Sequence, residues 1–405
     1  MIVSGCPTHG PTPCGAIAEA AVTETNRAPG GPEAAPLGRR GFLASAALAS
    51  AALAATAPVA ASATAHASGR PAPAGPLAPE RGTVGRLLAV PLGNRRDDWL
   101  RSALQVAVGI ELSTIPPYLC GWWSIKDRRS RAAQLVRRVL LDEMYHLGVV
   151  CNLLAAVGGR PALKSAAPVY PGPLPGGVHP GLTVYLSGLT KPFVHDVMMA
   201  VEAPAAPLAD RDGDSLSIGL FYEELLRTFR SAAPELSTAR QLRERIGEDE
   251  LVPVGTLDDV EHVIDVIREQ GEGTSSSPAD APGDDHVAHY YAFAEIYHGR
   301  ELREEGGGWQ YTGAAVPFPD TRPMARVPAG GWDAPPDEAR RLLDSFDDAY
   351  ARMLESLDTA WADTDANSLT AAVRAMRRLE PPAVELMEMP IPGTSETYGP
   401  QFHVP

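Results

Sequence analysis

Two long stretches of helical periodicity, separated by only a few residues around 127–129, constrain this chain more than any other feature. In the first, Leu104, Ala107, Val108, Leu112 and Ile115 recur at three- and four-residue spacing. Pro116-Pro117 are then expected to kink or break the run. The second runs from about 130 to 157, with Val136, Val139, Leu140, Leu147, Val150, Leu153, Leu154 and Val157 on one face. Gly158-Gly159 and Pro161 stop it. So short a connection predicts an antiparallel helical hairpin.

The informative residues are polar ones on those apolar faces. Glu111 lies on the stripe of Leu104 and Val108, and Glu143 and His146 lie on that of Val139, Leu140, Leu147 and Val150. A carboxylate at a core position is unfavourable unless it is paired or holds a metal. Counted from the turn, Glu111 lies about 17 residues before it and Glu143 and His146 about 15 to 18 after. At a rise of about 1.5 Å per residue all three reach nearly the same height, roughly 25 Å from the turn. A Glu facing Glu-x-x-His on the antiparallel neighbour is half of the di-metal carboxylate site built inside ferritin-like bundles. A spacing of three puts the second pair on one helix face. The bland alternative is a buried Glu–His hydrogen bond.

Further helices are expected at about 191–202, 215–231, 256–270 and 284–300, after a Pro/Gly-rich surface excursion over 162–191. A Gly/Trp/Pro-rich loop through Pro336 leads to two late helices, carrying Phe346, Tyr350 and Met353, then Leu369, Met376 and Leu379. The fold class is therefore all-α, a helical bundle with long loop excursions and additional C-terminal helices. Candidates for a second half of the site are Glu202, which borders the stripe of Val194, Val197, Met198 and Val201; Glu272, between Gly271 and Gly273; and His289, on a face with Phe293, Ile296 and Tyr297. His286 is a weaker candidate one turn earlier. Glu223, Glu224 and Glu269 point away from their stripes, and Asp344, Asp347 and Asp348 read as a solvated face.

The expected organisation is a disordered N-terminus plus export signal over 1–67, a linker over 68–94, the helical domain over 95–305, and a loop with C-terminal helices packing on the same domain over 306–405. Arg39-Arg40-Gly41-Phe42-Leu43, an Ala/Leu-rich stretch to Ala60, and Ala65-His66-Ala67 together resemble a twin-arginine-type export signal. That stretch is mostly Ala, weakly apolar for a stable membrane anchor. Such export carries proteins already folded, which predicts an extracellular or cell-envelope location. All basic residues but Lys126, Lys164 and Lys191 are arginine, a bias that fits a high-GC bacterium. Downstream of the signal, Cys120 and Cys151 either pair or remain inert core thiols. A net charge of −15 argues against nucleic acid as a partner. Phosphate-loop, Cys-x-x-Cys and Gly-x-Ser-x-Gly patterns are all missing from the sequence.

Several motifs together resemble the ferritin-like family named after iminophenylpyruvate dimer synthase. They are Ile110-Glu111-Leu112-Ser113-Thr114-Ile115-Pro116-Pro117-Tyr118-Leu119, Asp142-Glu143-Met144-Tyr145-His146-Leu147, Gly158-Gly159-Arg160-Pro161, Val201-Glu202-Ala203-Pro204, Gln270-Gly271-Glu272-Gly273, His289-Tyr290-Tyr291 and the tail Tyr398-Gly399-Pro400-Gln401-Phe402. The resemblance spans roughly 90–405 and includes violacein-pathway and chromopyrrolate-forming enzymes, which oxidatively couple arylpyruvate imines. It implies Glu111, Glu143 and His146 as metal-type positions, with Glu202, Glu272 and His289 as companions, and two irons per chain as cofactor, with manganese compatible. Leu220 stands where an acidic residue is expected before Phe221-Tyr222.

The leading expectation is a non-heme di-metal oxidoreductase taking O₂ or peroxide and a small aromatic or amino-acid-derived substrate, with Glu111, Glu143 and His146 catalytic. Tyr118, Trp122, Trp123 and Tyr145 would line its pocket. The alternatives are an exported metal-handling or peroxide-detoxifying protein of ferritin type, and a non-catalytic binding bundle. A homo-oligomer is compatible with each.

Overall fold

The computed structural model describes residues 82–204, 217–273, 277–278, 286–363 and 366–404. The segment expected to be an export signal lies outside them. The core hairpin is α2 (Asp97–Ser124) followed by α3 (Arg131–Ala156). Asp97 and Asp98 complement the N-terminal dipole of α2. The Ser130 hydroxyl caps α3 by accepting the Ala133 N–H at 3.3 Å. At the other end Gly158 takes φ 77° and the Gly159 N–H closes on the Leu154 carbonyl.

Contrary to expectation, Pro116-Pro117 do not end α2, which continues through them to Ser124. Neither proline can donate to the carbonyl four residues back. The carbonyl of Ser113, orphaned by Pro117, instead accepts the Tyr170 hydroxyl at 2.6 Å. Tyr170 belongs to the 162–191 segment, expected on the surface. That segment is irregular but inserted, with Leu163, Leu174, Val178, Val184, Leu186 and Leu189 all buried. Proline and glycine fixed its lack of regular structure, while its apolar residues decided where it went.

Every residue from Ala107 to Gly121 is buried, so this stretch of α2 is enclosed on all sides. α3 is long and apolar enough to cross a membrane, and 89% of its most apolar stretch is buried inside the fold, as for a core helix. Against one side of this hairpin pack α4 (Lys191–Phe193), which widens into a π-helix over Val194–Met199, then α5 (Ile218–Ala232), α6 (Leu257–Glu272) and α7 (His289–His298). Against the other pack α8 (Asp337–Asp363) and α9 (Ala366–Glu388), themselves a hairpin. α6 begins with a capping box: the Thr256 hydroxyl accepts the Asp259 N–H, and the Asp259 carboxylate accepts the Thr256 N–H.

Among the described residues, β-structure amounts to isolated bridges and two short antiparallel hairpins, β1 (Glu244–Ile246) with β2 (Asp249–Leu251), and β3 (Arg303–Glu305) with β4 (Gly308–Gln310). The first sits on α3 at Gly148, where a Cβ would lie 2.9 Å from the Leu251 side chain. The span expected as linker contains a packed element from Thr83 on: α1 (Thr83–Leu88) buries Val84. All described residues belong to one unit, Ala74–Pro405. Cys120 and Cys151 are both buried and free.

Of the acidic residues expected in solvent, two are engaged and a third is half-buried. Asp347 is buried, accepting the Gln401 amide at 2.7 Å and the His403 N–H at 3.0 Å; burial raises its carboxyl to about 6. Glu224 pairs with the buried Arg95 at 2.8 Å. Glu269 is half-buried at the edge of a cavity.

Candidate metal centre

Five of the six predicted ligands converge between the central hairpin and the helices on its first side. Glu111 comes from the middle of α2, Glu143 and His146 from α3, Glu202 from just beyond the π-helix, and His289 from the first residue of α7. All five are buried. They form two triads, Glu111–Glu143–His146 and Glu143–Glu202–His289, each with one donor atom per residue and all three atoms within 4.8 Å of one another. That is the spread expected of ligands about 2.0–2.2 Å from a shared ion. Glu143 belongs to both triads. His146 Nδ1 lies 3.6 Å from Glu143 Oε1 and 3.8 Å from Glu111 Oε2. His289 Nδ1 lies 2.8 Å from Glu143 Oε1 and 3.6 Å from Glu202 Oε2. The two imidazoles stack, with centroids 5.5 Å apart.

The sixth, Glu272, does not join. Its carboxylate accepts the Gly219 N–H at 2.9 Å and borders the site only through a small cavity it shares with Glu202 and Tyr222. α6 runs one turn-end further than expected, through Glu272 to Gly273 at φ 85°, and carries this side chain to the start of α5. A Cβ on Gly219 would overlap the Glu272 carboxylate, so the approach requires glycine there. His286 joins neither triad and lines the large cavity beside the site.

Around the five sits a layer of hydrogen-bonding groups that fixes their orientation. Gln270 donates its amide to Asp249 Oδ2 at 3.3 Å, which turns its carbonyl oxygen towards His146 Nε2 at 2.7 Å. His146 therefore carries its proton on Nε2 and presents Nδ1 to the carboxylates. His289 does the same: Nε2 donates to Asp142 Oδ2 at 3.3 Å. Thr114 donates to Glu143 Oε2 at 2.7 Å, Tyr118 to Glu202 Oε1 at 2.5 Å, and Tyr222 to Glu111 Oε1. The acceptors behind His146 and His289 hold the rings and raise their basicity, while the hydroxyl donors orient the carboxylates.

The electrostatics of this arrangement call for a cation. Among the described residues no Lys or Arg reaches Glu111, Glu143 or Glu202. His289 Nδ1, close as it is to Glu143, is a buried nitrogen without a hydrogen-bond partner. Buried carboxylates that face imidazole lone pairs are stable only with protons or metal ions between them. In the metal-free chain protons take that place. Burial, then the charge of Glu143, raises Glu111 to about 8. Burial opposes a charge on His146, but the hydrogen bond and charge of Glu143 outweigh it and raise the imidazole to about 8. Burial likewise works against ionised Glu143, yet His146 and His289 together hold it well below the usual carboxylate range. Two imidazole nitrogens and three carboxylates, one shared, fit two first-row divalent ions; copper is less suited to so carboxylate-rich a set.

Two cavities adjoin the centre. One of about 20 Å³, lined by Glu202, Tyr222 and Glu272, has room for a single water-sized guest. The other, of about 660 Å³, reaches Asp142 and Gln270, the residues behind the two imidazoles. Arg131, Arg137 and Arg138 line it together with Glu248, Asp249 and Glu269. Of the aromatics expected in the pocket, Tyr118 touches the site through Glu202, while Trp123 packs in the core on Phe346 and Phe402 and Trp122 lies under Arg128. Tyr145, beside His146, lines neither cavity.

Thr114, Asp142, Tyr222 and Gln270 escaped the sequence reading as site residues. A signal existed on α2, where Glu111, Thr114 and Tyr118 stand at i, i+3 and i+7 on one face. No local pattern marked Tyr222, which fits its apolar stripe, or Gln270.

The mostly helical fold matches a ferritin-like fold, and part of the chain resembles the family of that name. Residues 104–298 match the family described as Ferritin-like. Among solved structures, a ferritin-like protein from Caulobacter vibrioides is 20% identical with a TM-score of 0.53, over 75% of this chain and 97% of that one. No curated protein matches this chain. The metal-capable Glu/His groups are compatible with a di-metal protein of that superfamily.

Proposed function

We propose that the protein is a non-heme di-metal oxidoreductase that uses O₂ or peroxide to oxidise a small aromatic or amino-acid-derived metabolite. The observation that carries this reading is the pair of triads joined at Glu143. Glu111 and His146 would hold one ion, Glu202 and His289 the other, with Glu143 between them. Bound there, iron or manganese would transfer electrons from the substrate to dioxygen or peroxide.

The chain's own residues do the rest. Tyr118 and Tyr222 donate to the outer carboxylate oxygens from two sides, and Thr114 donates to Glu143, so the acids are oriented before any ligand arrives. Burial keeps both tyrosine hydroxyls protonated, well above their ordinary range, so they remain donors. The enclosing apolar helices exclude bulk water. The cavity of about 660 Å³ supports an organic substrate over simple metal handling, since its volume is that of a small-molecule site. Arginines and carboxylates in one wall suit a molecule that carries both charges, as amino-acid-derived compounds do. The resemblance to iminophenylpyruvate dimer synthases supports the same substrate class, and the Arg39-Arg40 segment supports metal loading before export in folded form.

The test is oxygen and peroxide consumption by the iron-loaded protein, alone and with a panel of arylpyruvates and aromatic amino acids. The proposal expects one panel member to sustain turnover and to yield an oxidised product that Glu143→Ala does not make. Consumption that needs added iron and that no panel member accelerates would instead establish the metal-handling alternative.

A further inference from the structure

On the side of the α2–α3 hairpin away from the triads lies a cavity of about 330 Å³, walled by the hairpin, by β1–β2 and by α8–α9. Leu112 and Leu147 line it although they adjoin Glu111 and His146 in sequence, because one residue turns about 100° around a helix. None of the five metal-facing residues lines it. Protein interiors are ordinarily filled, with few voids larger than a water molecule. A space of this size falls in the range of small-molecule sites, about 300–1,000 Å³.

Three features of its wall point to one kind of guest. Met144, Met353 and Met376 line it, and unbranched thioethers adapt to a flexible aliphatic body. Arg245 of β1 and Arg377 of α9, both exposed, stand at the wall, and among the described residues neither guanidinium meets a carboxylate. Arg243, next along the same strand region, is by contrast paired with Glu250. Finally, Tyr350 contributes to the wall and its buried hydroxyl has no hydrogen-bond partner, a state that buried polar groups seldom keep. Glu244 shares the wall and tempers the positive charge, which favours a monoanion over a phosphate.

We propose that this cavity binds an amphipathic monocarboxylate: the aliphatic body lies among the methionines and leucines, and the carboxylate pairs with Arg245 and Arg377. The site is separate from the metal centre and does not depend on its occupancy. It is tested by calorimetric titration of dodecanoate, and of neutral dodecanol, into the purified full-length protein. One saturable site for dodecanoate is expected, with dodecanol bound at least about tenfold more weakly. The double variant Arg245→Gln/Arg377→Gln should lose about tenfold for dodecanoate and nothing for dodecanol. Val373→Trp, which fills the chamber, should abolish binding of both while metal content and helical circular dichroism stay unchanged. Absence of saturable dodecanoate binding, equal affinity for the two ligands, or binding that survives Val373→Trp in folded protein would each overturn the proposal.

Discussion

Glu143 accepts from Thr114 on one oxygen and faces both imidazoles with the other, so the protonation of the whole cluster runs through it. Its neighbours set a pH dependence. Glu111 is raised in the folded metal-free chain from 4.5 to about 8. Its contribution to stability is therefore full below about 4.5 and is lost as pH climbs through 8. His146 is raised from 6.5 to about 8, so its contribution is present below 6.5 and is lost over the same rise. Both signs agree: the melting temperature of the metal-free protein should fall between pH 6 and pH 8.5. Metal binding must displace these protons, so divalent-ion affinity should rise over the same interval, and the loaded protein should show a flatter melting profile. A metal-free melting temperature that climbs with pH would contradict the protonated cluster. Behind His146, Gln270→Ala removes the carbonyl that fixes the tautomer. Metal affinity should drop by about 10–100-fold with little change in fold, read by competition with a chelator. At this scale the sequence was legible wherever a polar residue interrupted an apolar stripe, as at Glu111, Glu143 and His146. It was silent where the residue fitted its stripe, as Tyr222 does, or where the partner arrived from another element, as Gln270 does.

Each helix of the site is placed by its own local chemistry, and the least regular one matters most. The π-helix over Val194–Met199 changes the phase of the chain just before Glu202 and so helps to turn that carboxylate towards Glu143 and His289. Widened turns of this kind often accompany functional sites. Hydrophobic spacing does not reveal them, because Val194, Val197, Met198 and Val201 serve an α-helical reading equally well. The hairpin itself was legible because its turn is short and its two stripes are long. The passage of α2 through Pro116-Pro117 was not, since the hydroxyl that relieves it comes from Tyr170, more than fifty residues away in a segment without periodicity. Tyr170→Phe should leave the buried Ser113 carbonyl without that donor and destabilise the protein by about 1–3 kcal/mol, measured by chemical denaturation. An unchanged midpoint would mean that α2 tolerates its proline pair without Tyr170.

At the scale of the molecule, a largely buried hairpin divides two layers of helices. The layer of α4 to α7 completes the two Glu/His triads, and α8 and α9 close the apolar chamber opposite. The sequence showed one apolar stripe through Glu111, whereas the structure buries α2 on every side from Ala107 to Gly121. Which late helix covered which face was not readable, because both late helices are amphipathic and pairing between distant segments leaves no local mark. Sharing of Glu143 by two ions is tested by elemental analysis of natively folded protein. Wild type should hold about two equivalents of iron or manganese, Glu111→Ala and Glu202→Ala about one each, and Glu143→Ala close to none, with all variants folded. If Glu143→Ala kept its full complement, or if wild type refused metal on reconstitution, the shared-ligand centre would be contradicted.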